Sequence, residues 1–89
     1  MTYRILVRRS AQKELEALPK KIRVRVAAVI EDLASDPRPK GSIKLTGNDL
    51  YRIRSGDIRV VYLIENDRMI VIVVRVGHRR DVYRSLQPD

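Results

Sequence analysis

Apolar residues follow two different periods along this chain. Tyr3 to Arg8 alternates, with Tyr3, Ile5 and Val7 on one side and Arg4, Leu6 and Arg8 on the other, which predicts a strand. From Ser10, which reads as an N-cap, Ala11, Leu15 and Leu18 recur at i, i+4 and i+7 and predict a short amphipathic helix ended by Pro19. A second helix is expected from about Pro19 to Ser35. Proline suits a helix start, and Ile22, Val26, Val29, Ile30 and Leu33 form one apolar stripe. Asp36, Pro37, Arg38, Pro39 and Gly41 then break the pattern. Beyond them the period returns to two. Leu50 to Arg54, Ile58 to Glu65 and Met69 to Val76 read as strands, joined by Ser-Gly-Asp and Glu-Asn-Asp-Arg, which contain hairpin turn residues.

The order predicted is βααβββ with a short C-terminal segment, Asp81 to Leu86, that is the place for a last helix. It describes an α+β domain in which two N-terminal helices pack on one face of a largely antiparallel four-stranded sheet. The later strands are apolar on both faces. Ile58, Val60, Tyr62 and Ile64 alternate with Val61 and Leu63, and Ile70 to Val74 is continuous. One face takes the helices, so the other calls for the C-terminal segment or a partner protein.

With 89 residues, 1–89 is expected to form a single domain with a compact aliphatic core. A formal net charge of +8 gives it a field that attracts polyanions: nucleic acid, an anionic membrane or an acidic protein. The chain has no cysteine and one histidine, which excludes a disulfide framework, a thiolate zinc site and a multi-histidine metal cluster. No metal or other cofactor is expected. No apolar run approaches the roughly 18 residues of a membrane span, and the first residues lack a signal-peptide pattern. The expectation is a soluble cytoplasmic protein with no membrane partner.

The charge is unevenly placed. Between Tyr51 and Arg84 there are eight arginines (52, 54, 59, 68, 75, 79, 80, 84) against four acids (Asp57, Glu65, Asp67, Asp81), and no lysine. Guanidinium is suited to planar, bidentate recognition of phosphate. If Gly56 and Asp57 form a two-residue turn with glycine first, Ser55 pairs with Ile58 and Arg54 lies directly across from Arg59. Arg52 and Arg54 share a face about 7 Å apart, so three arginines cluster there. Like charges opposite one another destabilise a sheet, whereas a bound anion neutralises them. The alternative is that exposed strand arginines protect a sheet surface and snorkel over apolar neighbours. A three-residue turn would separate Arg59 from the pair.

Two further groups carry candidate chemistry. Lys20, Lys21, Arg23 and Arg25 lie near the start of the second helix and Glu31, Asp32 and Asp36 near its end, which opposes the helix macrodipole. This is either a solvated face or the continuation of a basic track for nucleic acid. In the run Gly77-His78-Arg79-Arg80-Asp81-Val82-Tyr83, His78 is able to exchange a proton near neutrality and Tyr83 to stack on a base or donate to phosphate. The structural alternatives are a surface histidine and a tyrosine that anchors the terminal segment.

These motifs carry a resemblance. The Tyr-Arg-Ile-Arg-x-Gly-x-x-Arg-Val-Val-Tyr block at 51–62 and Val-Gly-His-Arg-Arg-Asp-Val-Tyr at 76–83 resemble the RelE branch of the RelE/ParE toxin superfamily, and the likeness extends over nearly the whole chain. The resemblance implies the toxin of a type II toxin-antitoxin pair. Such a toxin enters the ribosomal A site and cleaves mRNA without a metal, by attack of a ribose 2'-hydroxyl that leaves a 2',3'-cyclic phosphate. It implies a cognate antitoxin that holds the toxin inactive, with ribosome and mRNA as the other partners and operator DNA met by the complex through the antitoxin. By position it assigns catalysis to Arg52, Arg54, Arg59, Arg79 and Tyr83. The residues themselves add His78 as a candidate catalytic group and, by their basic charge, Lys20, Lys21, Arg23, Arg25 and Arg80 as candidates for RNA binding. Three positions depart from the family pattern: arginines replace lysines at 52 and 54, and Thr46 replaces a basic residue before Gly47. Arginine is almost never neutral and is a poor base, so proton removal falls to His78, Tyr83 or ribosomal RNA. The alternatives are a ParE-like, non-catalytic inhibitor of DNA gyrase and a catalytically weakened RNA-binding relative.

Overall fold

The computed structural model describes residues 2–45 and 49–78. Its elements are β1 (Arg4–Val7), α1 (Arg9–Glu16), α2 (Lys20–Asp32), β2 (Ile43–Lys44), β3 (Leu50–Ser55), β4 (Ile58–Glu65) and β5 (Ile70–His78). The α+β expectation holds, with one correction: among the described residues the sheet has five strands and not four, in the order β1-β5-β4-β3-β2. The added strand, β2, sets Ile43 against Arg52 and Lys44 against Tyr51. Two residues carry no readable period, so only pairing reveals it. β1 runs parallel to β5, from Arg4 opposite Ile70 to Val7 opposite Val73, and the other pairings are antiparallel.

Helix α1 starts a residue before the expected cap. Arg8 is the N-cap and makes no side-chain cap bond, which puts Ser10 inside the first turn. The Arg8 N–H donates to the Val73 carbonyl at 3.0 Å while its own carbonyl accepts from Gln12 N–H at 2.8 Å. Pairing with β5 thus decides where strand becomes helix, overriding the local cap signal. Pro19 is the N-cap of α2, and its carbonyl accepts from Arg23 N–H at 2.8 Å. The helix ends at Asp32, short of Ser35, whose hydroxyl donates to the Asp32 carbonyl at 3.2 Å.

Both sheet faces are apolar, as expected. Ala11, Val26, Ile30 and Leu33 from the helices pack on Ile53, Ile58, Val60, Tyr62, Val71, Val73 and Val76. A smaller cluster on the other face centres on Val61 and Val74, with Leu45, Leu50, Leu63 and Ile72 around it. Each fully buried Val, Leu or Ile side chain among them contributes roughly 1.5–3 kcal/mol. The ladder slips between Val61 and Tyr62, which face Arg75 and Val73, so Val74 is the extra residue of a β-bulge. Past the end of β1, the edge of β5 is covered by Glu14 of α1. Its carboxylate accepts from Val76 N–H at 3.0 Å and pairs with Arg75 at 2.7 Å.

The connection after α2 is fastened to the sheet by Tyr62, which is fully buried and donates its hydroxyl to the Pro37 carbonyl at 2.8 Å. Tyr51 stacks on Tyr62, with ring centroids 5.9 Å apart. Arg38 lies 5.3 Å from the Tyr51 ring centroid and donates to the Tyr51 hydroxyl at 3.2 Å. Burial pushes the Tyr62 phenol up to about 12, against a smaller opposing effect of Ser42.

Because the folded state raises this pKa above the unfolded value of about 10, the stabilisation it gives is complete below pH 10 and is lost as pH rises through about 12. Tyr62→Phe should cost about 1–3 kcal/mol at pH 7, since it orphans a buried carbonyl. It should also flatten the alkaline fall in stability between pH 10 and 12, measured by urea unfolding of both proteins across that range. Parallel pH profiles would show that the Tyr62 hydroxyl is not buried as described.

Candidate anion site on the sheet

The site is organised by the turn between β3 and β4. Gly56 has φ of +61°, in the left-handed region that glycine tolerates, and Asp57 does not share it. Ser55 therefore pairs with Ile58 and Arg54 with Arg59, the register expected from the two-residue turn. Ser55 and Ile58 close the hairpin as a hydrogen-bonded pair. The next pair is then of the non-hydrogen-bonded kind, whose Cα atoms approach to about 4.5 Å and whose side chains are closest. Arg54 and Arg59 occupy that pair.

Their surroundings differ. Arg54 is exposed, whereas Arg59 is only 9% exposed and is the buried charged residue of the described chain. Arg52 is half-buried, and its buried Nε has no hydrogen-bond partner among the described residues. All three line an open cleft of about 580 Å³, with Lys40, Gly41 and Ile43 at its side and Gly56 at its end. No acid lines it. Among the described residues the ion pairs are Lys44 with Asp49, Arg68 with Glu65 and Arg75 with Glu14, none of which reaches the three arginines. A buried charge without a partner is costly, and a like charge directly across adds to that cost. An anion in the cleft offsets both.

The other candidates are placed as follows. Lys20, Lys21 and Arg25 are exposed on α2. Arg23 is half-buried and donates to the Glu16 carbonyl at 3.5 Å, which ties α2 to the end of α1. Arg25 reaches across to the hairpin: a Cβ added at Gly56 would lie 3.1 Å from its guanidinium. His78 ends β5, exposed and opposite Ile58, and Gly77 is the residue opposite Arg59. Ile58 belongs to the helix-packed core, so the register gives His78 the parity of that face and not of the arginines. Arg79, Arg80 and Tyr83 lie outside the described residues, as do Thr46 and the terminal segment.

Sequence reasoning missed Lys40 and Gly41, which sit among breaker residues where no period points anywhere. It also counted Arg68 and Arg75 with the free cations, although Glu65 and Glu14 neutralise them. For Arg75 that partner lies on α1, far off in sequence. Among the described residues, no group of three or more histidine, cysteine or acidic side chains gathers to hold a metal ion. No described helix is long and apolar enough to cross a membrane.

Two helices on one face of a mixed sheet, with arginines beside its β3–β4 turn that have no acidic partner among the described residues, define a small basic domain of the RelE/ParE kind. The family model of the ParE toxin of the type II toxin-antitoxin system parDE matches residues 5–83, and the chain belongs to this toxin family. It is similar to the toxin RelG of Mycobacterium tuberculosis, with 33% identity over 94% of this chain and 99% of that protein. The toxin RelE of the same organism is 33% identical over 92% of this chain and 87% of that protein. Among solved structures, an archaeal RelE–RelB complex from Pyrococcus horikoshii superposes with a TM-score of 0.80 and 32% identity, over 90% of this chain and 98% of that one.

If Arg54 and Arg59 repel each other, Arg54→Ala should raise stability by about 0.2–1 kcal/mol at low salt. The gain should shrink as sodium chloride is added, because screening weakens the repulsion. Urea unfolding of both proteins at two salt concentrations reads this out. A variant less stable than the parent at low salt would mean that Arg54 packs favourably over its neighbours and is not held against a like charge.

Proposed function

We propose that this type II toxin is a ribosome-dependent endoribonuclease of the cytoplasm that cleaves mRNA in the A site. It needs no metal, and its inhibitor is a cognate antitoxin whose complex with it meets operator DNA through the antitoxin. The observation that carries the reading is Arg59, nine-tenths buried, unpaired among the described residues and set directly across from Arg54 at a cleft. A gyrase-binding surface has no need of a desolvated cation of this kind. A phosphodiester whose charge grows during the reaction does, because preorganised donors act on developing charge most strongly where water is excluded. The names RelE and RelG of its relatives support the same reading, and the RelE–RelB complex supports an antitoxin partner.

In this mechanism a ribose 2'-hydroxyl loses its proton and attacks the adjacent phosphorus. The P–O5' bond breaks and the 5'-oxygen takes up a proton, leaving a 2',3'-cyclic phosphate and a 5'-hydroxyl. Arg52, Arg54 and Arg59 hold the pentacoordinate phosphate, and Arg79 clamps an oxygen or assists the leaving group. Lys20, Lys21, Arg25 and Arg80 bind RNA outside the reacting atoms, while Arg23 serves mainly the α1–α2 corner. Arginine at 52 and 54 cannot act as the base, and the parity of His78 turns it from the cluster. Proton removal is therefore assigned to Tyr83 or to a ribosomal RNA group.

A second reading, a gyrase inhibitor, is favoured by one finding: the family model that matches is that of ParE toxins. Induction in cells separates the two, with mRNA ends mapped by primer extension and translation initiation either open or blocked. Cuts at codon positions that require translation are expected, and Arg59→Ala with Arg79→Ala should reduce them by at least about 10²–10³-fold. His78→Ala should lose far less than the roughly 10²–10⁴-fold that follows removal of a general base. Growth arrest with broken DNA and intact mRNA would establish the gyrase reading instead.

A further inference from the structure

The free edge of β3 offers a second anion position beside the arginine pair. β2 pairs only with Arg52 and Tyr51, so among the described residues no strand pairs with the outer edge of β3 from Ile53 to the turn. In the β3–β4 ladder Arg54 belongs to a non-hydrogen-bonded pair, so its backbone N–H points to the other side of the strand, into the gap where β2 has ended. Lys40 and Gly41 border that gap, and Gly56 closes its far end with the Arg25 guanidinium resting against it. Lys40 makes no ion pair among those of the described residues. Its loop is held in place by Tyr62, through the Pro37 carbonyl, and by Arg38 on Tyr51. A backbone donor with no partner among the described residues, between Lys40 and Arg25 and held by a fastened loop and a hairpin, is a place for a phosphate.

We infer that this gap, formed by Lys40, the Arg54 backbone N–H and Arg25, is a second phosphate subsite that holds the RNA backbone one nucleotide away from the phosphodiester gripped by Arg54 and Arg59. It rests on the nuclease reading for the identity of the substrate. Arg52, whose buried Nε has no partner among the described residues, lines the same cleft. The subsite makes no bond change. It fixes the direction and register of the strand, and so determines which linkage meets the arginine pair, because phosphate contacts position a chain without reading its bases.

The test uses the full chain and two uncleavable ligands, a 2'-deoxy dinucleotide with one phosphodiester and a 2'-deoxy trinucleotide with two, titrated by NMR over a range of salt. For the wild type, the trinucleotide should bind more tightly, and the slope of log affinity against log salt should be steeper by about 0.7, the increment for one more neutralised phosphate on a single strand. Lys40→Ala and Arg25→Ala should remove that difference and leave dinucleotide binding in place. Lys13→Ala, a charge removed from α1, corrects for the general field of the protein. Equal slopes for the two ligands in the wild type, or a difference that survives in both variants, would overturn the subsite. Loss of dinucleotide binding in Lys40→Ala would also overturn it, by placing Lys40 at the first phosphate. Failure of both ligands to bind the wild type would sink the phosphate-directed reading of the whole cleft, which separates that failure from failure of the subsite alone.

Discussion

A turn of two residues permits a single register, and that constraint organises this protein. With Gly56 and Asp57 as the whole connection, Ser55 must face Ile58 and Arg54 must face Arg59. A slip of one residue would send Ile58, Val60 and Tyr62 out of the helix-packed core and drive Arg59 into it. The core therefore enforces the same register as the turn, and the juxtaposed arginines are its by-product in folding terms. Their repulsion is tolerated because β4 is buried on both faces and cannot shift to relieve it.

Around that hairpin, several polar contacts between distant residues keep the platform stiff. Tyr62 reaches from the central strand to the Pro37 carbonyl, Tyr51 stacks against it, and Arg38 covers Tyr51. On the opposite side Glu14 occupies the edge of β5 where β1 stops, satisfying Val76 and neutralising Arg75. The exposed backbone edge is thereby blunted on that side, whereas on the side of the cleft the end of β2 leaves it open. That asymmetry separates a finished edge from one available to a ligand.

The cluster of Arg52, Arg54 and Arg59 was legible because strand parity and turn length are local properties. The burial of Arg59 was not, since it depends on what packs beside β4. Nor was the distinction among cations: Arg75 looks like its neighbours in the sequence and is paired with an acid 61 positions earlier in the chain. His78 shows the reverse case. Its place two residues beyond Val76 is plain in sequence, yet its side was set by a bulge that inserts Val74 into β5.

By itself, then, the sequence determined the element order, the helical stripe, the two-sided apolar character of the late strands and the hairpin that opposes two arginines. Each of these follows from a period or a turn spanning a few residues. The tertiary structure alone decided the fifth strand, the helix start at Arg9, the joining of Lys40 to the cleft, the approach of Arg25 to the hairpin turn, and which of the described arginines remain unpaired. Those depend on contacts between segments remote in the chain, where the pairing partner, and not the local pattern, supplies the energy.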